Sequence, residues 1–157
     1  MTKEARSTTC ETDVLFDLIR AKRECLVQLR DIGCRQLELI EAGAMTALLD
    51  LLAAKQRTIA QLQRIEKALD PFRGQQPERR PWRTPEDRQR CAEQLKQCEA
   101  LLTEILSQEK CSESALLRRR DEAAARLQGA QLAGQARGAY IAEPHQTISQ
   151  LDSLSET

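Results

Sequence analysis

Six cysteines and one histidine carry most of the reactive chemistry available to this chain: Cys10, Cys25, Cys34, Cys91, Cys98, Cys111 and His145. Thiolates and imidazole ligate zinc, and a thiol beside an imidazole makes a nucleophile–base pair. The spacing speaks against both. No two cysteines form a C-x-x-C, and His145 sits in the C-terminal stretch. Without closer pairs or further histidines the pattern is not a zinc pattern. The cysteines therefore read as free thiols, several of them buried as small hydrophobes. Cys91 and Cys98 are seven apart, share a helix face, and read as core positions.

Other chemistry is equally thin. The glycines form no G-x-G-x-x-G or phosphate-loop pattern. Carboxylates interleave with Lys and Arg, as they do on solvated helix faces. The chain is expected to be no enzyme, with no cofactor and no metal. A basic cluster, RRRDE at 118–122, is answered at once by Asp121 and Glu122. Nucleic-acid binding would require it to converge with Arg79, Arg80 and Arg83. The balance of 24 basic and 24 acidic residues gives no global field, and 3% aromatic content offers few stacking platforms. No nucleic acid is expected as a partner. No run of 18 apolar residues suggests a membrane span, and MTKEARSTTCETD has no apolar core for a signal peptide. A cytoplasmic location is expected.

What remains is a set of Leu- and Ala-rich helices. Residues 1–12 lack periodicity and are expected to fray. Helix 1 is expected over 13–42. In heptads from Leu15, its d set is Leu18, Cys25, Ile32, Leu39 and its e set Ile19, Leu26, Gly33, Ile40. Its a set, Leu15, Lys22, Leu29, Gln36, is half polar. That stripe is wide enough for more than one neighbour. Gly43 is suited to end the helix in the left-handed region, and the short joint favours a reversal. Helix 2 is expected over 45–69, with Leu48, Leu52, Ile59, Leu62, Ile65 and Leu69 on its face, and Asp70-Pro71 as its stop. Lys55 lies on that face, and its stem is expected to pack while its ammonium reaches water. In the loop 71–84, Phe72 and Trp82 are expected to cap the open end of the helices. Thr84-Pro85-Glu86-Asp87 is a strong helix start. Helix 3 carries Cys91, Leu95, Cys98, Leu102 and Ile105, and its stripe turns polar at Glu109 and Ser112.

The expected fold is all-α: an antiparallel up-and-down bundle of three long helices, with 107–114 as the place where the third would break to give a fourth. The domain occupies 13–139. Residues 140–157 form a flexible tail with isolated apolar anchors, Tyr140, Ile141, Ile148, Leu151 and Leu154. Such a tail suits folding on a partner.

The segment LELIEAGAMTALLDLLAAKQRTIAQLQRIEKAL resembles the flagellar export chaperone FlgN family. The likeness lies in a leucine-rich helix, a joint at Gly43-Ala44 (where the family's joint carries Asp in the second place), then Leu48, Leu49, Leu51, Leu52 and Lys55. The third long helix and Ala139-Tyr140 before a loose tail add to it. The resemblance implies a cytoplasmic chaperone that binds hook-associated, hook–filament junction proteins by their C-terminal helices before type III export. It also implies the export apparatus as a second partner. By position it assigns client binding to Tyr140, Ile141, Ile148, Leu151 and Leu154. The alternative is a helical adaptor or coiled-coil scaffold whose stripe serves homo-oligomerisation alone.

Overall fold

The computed structural model describes the backbone of residues 2–74 and 82–154, and the side chains of 11–74 and 82–141. The fold is all-α. Three helices follow in order, α1 Thr2–Ala42, α2 Met45–Arg73 and α3 Pro85–Leu154, with no strand among the described residues. The chain divides into two compact units, Met1–Ala115 and Leu116–Thr157.

In the first unit the wide stripe of α1 is the organising surface. Leu15, Ile19, Cys25, Leu26, Leu29, Leu39 and Ile40 are all buried. They sort into three successive apolar clusters. Leu15, Ile19 and Cys25 pack with Ile65 and Leu69 of α2 and Cys91 of α3. Leu26 and Leu29 pack with Cys98 and Leu101 of α3. Leu39 and Ile40 pack with Leu48 of α2 and Ala115 of α3. Phe72, on the last turn of α2, and Trp82, just before α3, pack partly buried against the first cluster.

The α1–α2 joint is a Schellman turn. Gly43 takes φ 71°, its N–H donates to Ile40 O at 3.1 Å, and the Ala44 N–H donates to Leu39 O at 3.0 Å. Only glycine enters that region without strain. Ala44 offers no side-chain cap, so α2 starts on backbone bonds alone. The chain then reverses: Lys22 meets Glu66 while Gln36 meets Lys55, so numbers rise on one helix as they fall on the other. At the start of α3, Thr84 Oγ1 accepts from the Asp87 N–H at 3.2 Å, which is the cap its sequence signalled.

Several boundaries differ from expectation. Helix α1 begins at Thr2, within the segment expected to fray. Residues 2–12 hold neither Gly nor Pro, so a helix nucleated further on can extend back through them. Helix α2 passes Asp70-Pro71 and ends at Arg73. Proline there removes one hydrogen bond of the final turn only, and Arg73 holds that turn through Asp70 at 3.2 Å and through Glu66. Helix α3 shows no break at 107–114. That stretch contains no Gly or Pro, and its polar Ser112 is buried at 2% exposure, so the stripe turns polar without leaving the interior. The helical backbone also runs through the expected tail to Leu154.

Candidate functional site

Two features of the structure place side chains where they could do work. The first is a polar layer inside the Met1–Ala115 unit. Between the second and third apolar clusters, Lys55 Nζ of α2 donates to Gln36 Oε1 of α1 at 3.0 Å and forms an ion pair with Glu109 of α3. Gln36 is 5% exposed and the Lys55 side chain 12%. The lysine is therefore mostly buried rather than free in solvent as the sequence suggested; a carboxylate and an amide meet its ammonium. One turn away, Gln108 Nε2 of α3 donates to Arg30 O and to Cys34 Sγ, each at 3.2 Å. Gly33 makes room for this amide, because a Cβ there would collide with the end of the Gln108 side chain. The half-polar a set of α1 thus has a physical meaning. Lys22 pairs with Glu66 at 2.7 Å, and Gln36 takes the ammonium of Lys55.

Among the described residues no group of three metal-ligating side chains occurs. Cys25, Cys91 and Cys98 are buried thiols, and Cys34 and Cys111 are exposed ones. Burial pushes the Cys25 thiol up; the Sγ donates to Thr58 O at 3.4 Å. Burial also pushes up the Cys98 thiol, against the opposing pull of Lys22 and Arg23. Both are held protonated, which is the opposite of what a nucleophile needs. A hollow of about 170 Å³ lies beside the first cluster, lined by Leu15, Ile19, Leu69, Phe72 and Leu95, with Lys22 and Arg73 at its edge. Both cations are already paired with Glu66. Among the described residues no helix is long and apolar enough to cross a membrane.

The second feature is the surface of the Leu116–Thr157 unit. Every described residue from 116 to 141 is exposed except Arg119, which is half-buried. Large apolar side chains are among them: Leu127 is 62% exposed, Leu132 61%, Tyr140 78% and Ile141 65%. The structure places the expected site residues Tyr140 and Ile141 here, on α3. Ile148, Leu151 and Leu154 lie on the same helix, but their side chains fall outside the described residues. Leu127 and Leu132 were not among the sequence candidates. The signal was present as apolar residues in a stretch too glycine-rich to close a core. Of the basic residues considered for nucleic acid, Arg83 is paired with Asp13 at 2.6 Å and Arg120 with Asp121 at 3.2 Å, while Arg79 and Arg80 lie outside the described residues.

Comparison with family models, with curated proteins and with solved structures finds no match in any of the three.

Proposed function

We propose that the protein is a helix-binding chaperone of the FlgN kind, which holds a hook–filament junction subunit in the cytoplasm before type III export. Its first unit serves as a three-helix up-and-down bundle that acts as scaffold. Its second unit presents the binding surface. One observation carries the reading: among the described residues of 116–141, none is buried, although Leu127, Leu132, Tyr140 and Ile141 are large and apolar. Isolated exposed leucines are ordinary, whereas a run of them along one helix marks an interaction surface. The resemblance at residues 37–69 supplies the kind of client. Covering an aggregation-prone amphipathic helix is work that such a surface can do through apolar burial alone.

The test uses the full chain and a purified junction subunit. Burying one leucine contributes about 1.5–3 kcal/mol. Leu127→Ser with Ile141→Ser is therefore expected to weaken binding at least about tenfold, with circular-dichroism helicity and the thermal midpoint unchanged. Deletion of residues 140–157 is expected to weaken binding as well. A junction subunit that does not bind the wild-type chain, or binds the double variant equally well, removes the proposal. Sedimentation equilibrium covers the scaffold alternative: a self-associating chain whose association the double variant abolishes would replace the chaperone reading.

A further inference from the structure

The exposed surface of 116–141 has an ordered charge pattern as well as an apolar one. Leu116, Ala123, Leu127, Ala130, Gly134 and Ile141 recur at steps of 7, 4, 3, 4 and 7, so they share one face of the helix. Arg119, Arg126 and Arg137 each follow a member of that stripe by three residues, at Leu116, Ala123 and Gly134. They form a basic rail along one edge of it. Against these and Arg118 and Arg120 stand only Asp121 and Glu122, so residues 116–141 carry five positive and two negative charges, a net of +3. Residues 1–115 carry 19 of each sign and are neutral. The charge asymmetry is therefore a property of this surface and not of the whole chain.

We infer that residues 116–141 are shaped for an amphipathic helix with an acidic flank, whose large aliphatic side chains reach down to a floor of alanine and glycine. This rests on the helix-binding role proposed above and names the partner's chemistry. Three properties select it. Paired helices choose partners through the charges flanking their apolar seam, so a basic rail selects an acidic one. The middle of the seam is mostly small: Ala123, Ala130 and Gly134 leave space on either side of Leu127, and a Cβ at Gly134 would touch nothing. In an antiparallel pair a second copy of the same surface would set arginine rail against arginine rail, which disfavours that form of self-pairing. An anionic membrane would also attract the rail, but membrane-surface helices carry large aliphatic or aromatic side chains all along the buried face, where half of this seam is alanine or glycine.

The experiment measures binding of the full chain to three synthetic helical peptides with one common Leu/Ile face and flanks of glutamate, glutamine or lysine. Vesicles of phosphatidylglycerol form a fourth arm. At low salt the glutamate peptide is expected to bind about tenfold tighter than the glutamine peptide, and the lysine peptide weakest. At 1 M salt, where the Debye length is about 3 Å, the gap should close. Arg126→Gln with Arg137→Gln should remove the gap and leave the glutamine peptide's affinity as it was. Gly134→Ala should weaken the glutamate peptide, while Gly129→Ala, on the opposite face, should not. Equal binding of all three peptides leaves the helix-binding role standing and overturns the inference. Failure of all three to bind overturns both. Vesicle binding in place of peptide binding assigns the surface to lipid and overturns the inference.

Discussion

Lys55 of α2 and Glu109 of α3 form an ion pair, and the same ammonium donates to Gln36 of α1 at 3.0 Å. One charged atom thereby joins three helices between two apolar clusters. A shift of any helix by one turn would separate it from a partner, so the layer fixes register where leucines alone would tolerate slippage.

The layer should be asymmetric under mutation. Glu109 is 43% exposed, so its own charge is only partly desolvated, while the Lys55 side chain is 12% exposed. Removing the carboxylate leaves the ammonium with one amide. Glu109→Ala is expected to cost about 1–2 kcal/mol in urea unfolding, less than for a fully buried pair because of that exposure. Replacing the trio with apolar residues, Lys55→Met, Gln36→Leu and Glu109→Leu, should recover most of the loss. An unchanged unfolding midpoint for Glu109→Ala would show that the pair contributes nothing.

Gly33 faces Gln108 across α1 and α3. Alanine gains about 1 kcal/mol of helix propensity over glycine. Here it would push away a side chain whose Nε2 holds Arg30 O and Cys34 Sγ at 3.2 Å. The lost hydrogen bonds cost about as much as the propensity gains, roughly 1 kcal/mol. Gly33→Ala alone is expected to be near neutral in thermal unfolding. Gly33→Ala with Gln108→Ala should be more stable than Gln108→Ala alone, since the space is then free. Equal midpoints for those two would show that the glycine is not held by the amide.

The cysteines should divide by reactivity. Cys34 and Cys111 are exposed, while Cys25, Cys91 and Cys98 are buried. A thiol-specific reagent in native buffer is expected to modify the first two quickly and the other three only after denaturation. The raised Cys25 and Cys98 thiols also carry a pH consequence. Their protonated form is favoured in the folded state, so their contribution is fully present below the unfolded thiol pKa, about 8.5. It is lost as the pH rises through the higher folded value. Unfolding free energy should fall as the pH rises from about 8.5 towards the folded values, and serine at both positions should flatten the fall. Rapid native labelling of Cys98 would contradict its burial.

The legibility of the sequence followed the strength of local chemistry. Gly43 as a left-handed stop, Thr84 as a cap and Cys91 with Cys98 as core positions all rest on short-range rules, and all three are found as read. Pro71 was read as a stop, but the partial burial of Phe72 and the pairing of Arg73 outweigh one missing hydrogen bond in a last turn. Glu109 and Ser112 marked a polar gap in a stripe. No local rule shows that Lys55, 54 residues away in the chain, fills the same gap. The same limit hid Gln108 and Gly33, which meet only because α1 and α3 lie side by side. On the exposed part of α3, Tyr140 and Ile141 are the described residues that the sequence singles out, and both are exposed; Leu127 is similarly exposed but is not singled out, because nothing in the local pattern shows that no neighbour covers it.

The helix beyond Ala115 has a thermodynamic consequence of its own. From residue 116 to 141 no described side chain is buried, so those turns are held chiefly by backbone hydrogen bonds and intrinsic propensity, with the half-buried Arg119 and the Arg120–Asp121 pair near their start. Their amides should open and exchange at little free-energy cost, while the cluster around Leu26 and Cys98 opens only with global unfolding. A segment that settles much of its ordering entropy on contact binds with less affinity for its area than a rigid one. Under the chaperone reading proposed above, a client held this way would have a short residence time and would be released readily.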